Sequence, residues 1–396
     1  MLGAIYTSLS GMDAYTKGLQ TISNNVANLN SNGYKQTTLA FSNLVDDSGS
    51  SFLGSGWRDN GSGVHIASTL TDFSQGQLQT TNNDLDLALQ GSGFLVVLNK
   101  DGNTFYSRTG SFAVDKDGYI SDQATGERLA VLDAGGHPVA INLNDKKVSE
   151  PAATTKIAFS DNLSSDVNAP PATVSNITVT DSRGGQHVWT ATFTKSTDIG
   201  VTDQWDVAFT DSTGADVGSA TLKFIGNDID PTTQTATLDY APDGADPMTV
   251  TLDFSGVTSQ SQGTTSTIQT ASVDGNAVGT LSTVTIDENG HILLTYTNQK
   301  TETEGAVAIA NFRNPQLLTR LSNGLYQNGT TETPTLAASN TDGMGTLTPK
   351  SIESSNVDLS AEFGDLILLQ RGFQACSEVI SVSNDMIQQL FSIRGQ

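Results

Sequence analysis

The sequence predicts an α+β protein, mostly β, with nested discontinuous antiparallel β domains and N- and C-terminal helices that form a coiled-coil-like pair. Three observations carry this expectation. Apolar residues recur at steps of three and four near the start of the chain, the same rhythm returns near its end, and between them apolar and polar residues alternate around Asp-Gly and Asn-Gly pairs. A period near 3.6 belongs to a helix with one packed face, and a period of two to a half-buried strand.

The first helix rests on Leu2, Ile5, Leu9, Met12, Tyr15, Leu19, Ile22, Val26 and Leu29, with one seam (Ile5, Met12, Leu19, Val26) repeating every seven residues. That seam is the pattern of a helix packed on a partner helix. Gly33 is a left-handed stop beyond it. The other face is small and neutral: Gly3, Thr7, Ser8, Ser10, Gly11, Ala14 and Gly18, with Asp13 and Lys17 as its charges. The helix runs out in SNNVANLNSNGYK, Ser23 to Lys35, where asparagine, a poor helix former, dominates. Such a surface fits a helix crowded by protein on most sides. A terminal helix lying on its own domain is the alternative.

The second helix has its own seven-residue seam, Leu359, Leu366, Phe373, Ile380 and Ile387, flanked by Leu369, Cys376 and Leu390 with Ser383 as the polar exception. Asp358 or Ser360 suits the N-cap, Glu362 and Asp365 the first turns, and Arg394 the end. Residues 1–30 and 358–396 are therefore expected to form one terminal helical assembly domain, its two helices antiparallel.

Between the helices, residues 31–72 (Gly/Ser-rich over 42–63) and 335–357 are expected as linkers. Residues 73–145 and 285–334 carry hairpin signals at Asp101-Gly102, Asp117-Gly118 and Asn289-Gly290, because tight turns need positive φ. They form the expected inner β domain. Residues 146–284, where Trp189, Ala191 and Phe193, and then Trp205, Val207 and Phe209, alternate with polar residues, form an inserted outer β domain.

Composition narrows the function classes. The chain of 396 residues carries 42 acidic and 19 basic side chains, a formal net charge of -23. That speaks against nucleic acid or an anionic membrane as partner. Only 15% of residues are charged, while Thr, Ser, Asn and Gly abound, as in bacterial appendages and adhesins. The single Cys376 cannot form an intrachain disulfide and reads as a small core residue. No cleavable signal peptide or membrane-spanning run is expected.

Candidate chemistry is thin. His65, His137, His187 and His291 show no metal-ligand spacing, there is no nucleophile elbow or phosphate-binding loop, and DKDG and DENG read as turns lacking the later ligands of a calcium loop. No enzyme, cofactor or metal is expected.

SNNVANLNSNGYK resembles the N-terminal signature of the bacterial flagellar axial proteins, which build the rod, hook and filament-junction parts. SNVDLSAEFGDLILLQRGFQACSEVISVSNDMIQQL, Ser355 to Leu390, resembles that family's C-terminal signature. The stretches QGQLQTTNNDLDLALQGSGFLVV and FYSRTGSFAVDKDGYI resemble motifs shared by hook and rod subunits. The large insert and the stretch GAVAIANFRNPQLLTRLSNGLYQ are most similar to the hook-type members. On this resemblance the signature residues are Asn24, Asn25, Ala27, Asn28, Gly33, Tyr34 and Lys35 at one end and Asn356, Val357, Asp358, Leu359, Gln370 and Arg371 at the other. NLNSNGYK departs from the many members that have threonine near the glycine, and 146–284 matches no motif.

The resemblance implies a structural subunit that polymerises with itself into a curved tubular coupling outside the cell, transmitting torque from rod to filament. It implies rod and hook–filament junction proteins as neighbours, and a hook cap and the type III export apparatus during assembly. It also implies that the terminal helices form the inner wall, with Ile5, Leu9, Met12, Leu19, Ile22, Val26, Leu29, Leu366, Leu369, Phe373, Cys376, Ile380, Ile387 and Leu390 at the assembly interface. A distal rod subunit, and an extracellular adhesin or glycan-binding β protein, remain as alternatives.

Overall fold

A computed structural model describes residues 2–45, 61–196, 203–242, 244–261 and 263–394. Two helices, Leu2–Ala27 (α1) and Leu359–Arg394 (α2), bracket a chain of strands and turns. It divides into two compact units. The first comprises Met1–Asn144, Val284–Leu293 and Thr303–Gln396, and the second Asp145–Thr283 and Leu294–Glu302.

In the first unit, α1 ends before Leu29. The Asn28 side chain turns back to donate to the Asn24 carbonyl at 2.8 Å, and Leu29 sits in the turn that follows. Gly33 does take the left-handed conformation, φ 67°, but as part of the turn into the next segment, where its N–H donates to the Glu353 carbonyl. Asp358 caps α2 by accepting from the N–H groups of Ser360 and Ala361.

The expected first linker is largely strand. Thr37–Val45 (β1) and Gly61–Thr71 (β2) pair antiparallel from Thr37↔Thr71 to Val45↔Gly61, and residues 46–60 lie outside the described residues. The hairpin packs on α1, with Tyr15 against Phe41 and the Val64 N–H donating to Ser10 Oγ. Gly63, one of the glycines that suggested a loop, serves this close approach: a Cβ there would overlap Ser10. Residues 335–357 likewise contain strands, with Leu347 paired to Leu89 and Ser351 to Thr80.

The main sheet of this unit is twelve-stranded. Phe94–Leu98 pairs antiparallel with Thr104–Ser107 on one side and Arg128–Leu132 on the other. Phe94, Val96, Tyr106, Ala130, Phe312 and Tyr326 form its core, with Phe94 and Tyr326 ring centroids 5.6 Å apart. The turn glycines Gly102, Gly118 and Gly290 have φ near 84°, as their dipeptides require.

The second unit is a nine-stranded sheet around one core, its outermost strands Ala172–Thr180 and Gln269–Val273 lying back alongside each other. Trp189, Ala191 and Phe193, and Trp205, Val207 and Phe209, all point into that core. Pairing is antiparallel except between Lys156–Ser164 and Met248–Gln260, which run parallel. Leu294–Glu302 falls in this unit, outside the expected 146–284, because Thr297 N–H donates to Thr280 and Asn298 Nδ2 to Ala277.

Candidate functional site

Helices α1 and α2 pack antiparallel. Asn25 meets Glu362, Gly18 meets Leu369, Tyr15 meets Gly372 and Gly11 meets Cys376, so each step along one helix is matched by an equal step back along the other. The glycines set the spacing: a Cβ on Gly11 would lie 2.9 Å from Cys376 Sγ, and one on Gly18 2.7 Å from a Leu369 methyl.

The buried face of α1 is thus Ser8, Gly11, Ala14, Gly18, Ile22 and Asn25, the small residues together with Ile22. The seam Ile5, Met12, Leu19 and Val26 is half-buried along its flank, Leu29 is half-buried in the turn, and Leu9 is exposed. On α2, Leu366, Leu369, Phe373, Cys376, Ile380 and Ile387 are half-buried, Ser383 is buried, and Leu359 and Leu390 are exposed. Apolar periodicity points to a stripe but not to which edge of it a partner takes. The partner here sits over the glycines, where backbones approach most closely. A second apolar face of α2, including Phe363, Ile367, Leu368, Val382 and Met386, stands exposed, and the sequence reading did not single it out.

Both chain ends converge at the root of this pair. Asn25 is 1% exposed, and its amide makes four bonds. Nδ2 donates to Glu362 Oε1 at 2.7 Å and to the Thr37 carbonyl at 2.9 Å, while Oδ1 accepts from the Tyr34 hydroxyl and the Thr37 N–H, both at 3.1 Å. Two donors and two acceptors exhaust an amide's capacity, and neither a carboxylate nor an ammonium could replace it. Gln36 Nε2 also donates to Glu362 Oε1, and the Gln36 N–H to Asn356 Oδ1. Asn356 Nδ2 donates to the Asp72 and Ser74 carbonyls. Burial pushes the Glu362 carboxyl above its ordinary range, against the opposing pull of the Asn25 hydrogen bond.

A second, wholly buried cluster lies beside it. Lys35 Nζ donates to Glu353 Oε1 and to the Ser74 carbonyl, both at 2.7 Å, and the Gly76 N–H donates to the same carboxylate oxygen. Arg108 stands with Nε 3.6 Å from Glu353 Oε2 and its terminal nitrogens on the Gly91 and Gly93 carbonyls. Burial draws the Lys35 and Arg108 pKa values down, opposed by the Glu353 charge. Arg320 lies 4.0 Å over the Tyr34 ring and donates to the Lys35 carbonyl. Glu353, Arg108 and Arg320 escaped the sequence reading, because nothing in their local pattern marks a buried charge.

The remaining signature residues divide by exposure. Gly33, Tyr34, Lys35 and Val357 are buried in this junction, Asn28 and Asn356 are half-buried, and Asn24, Ala27, Asp358, Leu359, Gln370 and Arg371 are exposed. The arrangement joins the two ends of a chain and presents an apolar helix face; it assembles no reacting group. Among the described residues no cluster of three or more His, Cys, Asp or Glu side chains is placed to hold a metal, and no helix is long and apolar enough to cross a membrane.

Three family models match the chain. They are the flagellar hook protein FlgE/F/G D1 domain over 88–182, the flagellar basal body rod FlgEFG protein C-terminal over 348–393, and the flagella basal body rod protein over 5–35. The last two cover the residues that build the junction from either end. The chain is similar to the flagellar hook protein FlgE of Treponema pallidum, 28% identical with all of both chains covered. It is also similar to that of Salmonella typhimurium, 28% identical over 98% of this chain and 99% of the relative. The crystal structure of the Helicobacter pylori flagellar hook protein FlgE2 aligns over 70% of this chain and 100% of its own at 14% identity, with a TM-score of 0.49.

Proposed function

The chain belongs to the flagellar hook protein family, and we propose that its two terminal helices, locked at their root by Asn25 and Glu362, are the wall through which its copies polymerise into a curved tubular hook. It is a structural subunit of the flagellar hook and not an enzyme. The observation that carries the proposal is the unpartnered apolar face of α2: Phe363, Ile367, Leu368, Val382 and Met386 stand in water on a helix whose opposite face is already packed. Head-to-tail contacts that do not close on themselves make a filament, so covering such a face takes only a regular repeat of copies. Ile5, Leu9, Met12, Leu19 and Val26 on α1, and Leu366, Phe373, Ile380, Ile387 and Leu390 on α2, supply the flanks of that wall.

In this reading the polymer couples rod to filament, and export runs through the type III apparatus with a cap at the growing end. Rod and junction proteins are its neighbours along the axis. Electron microscopy of purified chain brought to polymerising conditions, and of material sheared from cells, tests it. Short curved tubes are expected. Straight stubs would make the chain a rod subunit, and dispersed monomers at every concentration would overturn the proposal.

A further inference from the structure

Beside the junction, α1, β1 and α2 enclose a cavity of about 230 Å³. Ile22, Leu39, Phe41 and Leu369 line it with apolar surface, and Glu362 and Asp365 give it two carboxylates. Glu362 is 2% exposed, yet its partners within the chain are amides, not cations. A buried carboxylate without a counter-charge is costly to keep ionised, and its raised pKa reflects that cost.

The basic side chains of the terminal segments account for themselves quickly. Lys17 pairs with Asp13 at 2.9 Å, and Lys35 is buried on Glu353. Arg371, on α2, is exposed and has no hydrogen-bond or ion-pair partner among the described residues. It lies six positions beyond Asp365 on the same helix, too far along the axis to reach back.

We propose that Arg371 of a second copy enters this cavity and pairs with Glu362 and Asp365, so that each copy's free cation neutralises its neighbour's buried acid. The inference rests on the polymerisation reading above and names its specific contact. A planar guanidinium suits the site: it is weakly hydrated, it can bond two carboxylate oxygens at once, and its flat face rests on apolar walls such as Phe41. The pairing is heterologous, donor site and acceptor site being different patches of one chain, and so propagates along a filament.

The test is a double-mutant cycle on polymerisation of the full chain. Glu362→Gln keeps an oxygen to accept from Asn25 and Gln36 but removes the charge, and Arg371→Gln removes an exposed cation that has no hydrogen-bond or ion-pair partner among the described residues. Arg371→Gln is expected to raise the critical concentration for polymerisation by roughly tenfold or more, with little effect in the Glu362→Gln, Asp365→Asn background. Arg371→Lys is expected to fall between, since it keeps the charge but not the planar fork. An equal effect of Arg371→Gln in both backgrounds overturns the inference, as does none in the parent chain, while tubes still form and the polymerisation reading stands. A parent chain that never polymerises instead removes that reading and the inference with it. As an independent measurement, Asp365→Cys and Arg371→Cys, each made alone in a Cys376→Ala chain and polymerised together, are expected to be joined copy to copy by a short bis-maleimide into dimers in tubes. Tubes without such dimers overturn the contact.

Discussion

Asn25 and Glu362 are 337 positions apart in the chain and 2.7 Å apart in space, and the bond between them joins the end of the first helix to the start of the last. Because the amide of Asn25 uses all of its donors and acceptors inside one chain, the asparagine-rich end of α1 is explained first by its own junction and only then by neighbours.

Asn25→Asp sets a second carboxylate against Glu362 and removes both donors. The cost expected is about 3 kcal/mol in the first unit, the order found when a buried polar network is left with an unmatched charge. Urea unfolding followed by far-ultraviolet dichroism reads the loss. Trp189 and Trp205 lie in the other unit, so their fluorescence, in a Trp57→Phe background, is expected to keep its midpoint.

Lys35→Met leaves Glu353 buried with Arg108 at 3.6 Å as its remaining cation. A destabilisation of about 3–5 kcal/mol is expected, as for one partner removed from a buried pair. Lys35→Arg is expected to fail too, because Lys35 Nζ fits between Glu353 and the Ser74 carbonyl with its side chain fully buried, leaving no room for a fork. Chemical denaturation of both variants checks this.

Ile367→Asp is the converse case. Ile367 is 56% exposed in the single chain, so monomer stability is expected to change by no more than about 0.5 kcal/mol. Polymerisation is expected to stop, because the charge falls on the face we propose neighbouring copies cover. Sedimentation of monomer and polymer measures both.

In the second unit Asp253 accepts from Lys156 at 2.7 Å, and that bond, with further help from Ser255, holds its pKa down at about 2. A folded-state pKa below the unfolded value gives stability that is complete above about pH 4 and is lost as pH falls through about 2. Lys156 is half exposed, so the contribution expected is about 1 kcal/mol. Asp253→Asn is expected to remove this part of the acid dependence of the tryptophan-detected transition, seen by comparing thermal midpoints at pH 2 and pH 6.

Much of this architecture was legible in the residues. Seven-residue seams found both helices, alternation found the strands of Trp189 and Trp205, and Asp-Gly pairs found the turns. Strands β1 and β2 were not legible, because glycine and serine suggest loops unless one knows that a helix passes close by. The packed edge of α1 was hidden for the same reason: Gly11 and Gly18 contribute by what they lack, and hydrophobic periodicity counts only what is present. The buried Lys35–Glu353–Arg108 cluster joins three distant segments, a relation no local pattern carries.

The Asn25–Glu362 bond also orders events in time. α1 is rich in glycine, serine and asparagine and has little tendency to form a helix alone. Its partner surface leaves the ribosome only after a further 337 residues, a delay of roughly 20 to 70 s at 5–20 residues per second. During that interval the second unit can close, while α1 has only the β1–β2 hairpin to pack on. The chain therefore has a built-in last step, the meeting of its two ends, and any process that acts on a loosely held N-terminal segment has until then to act.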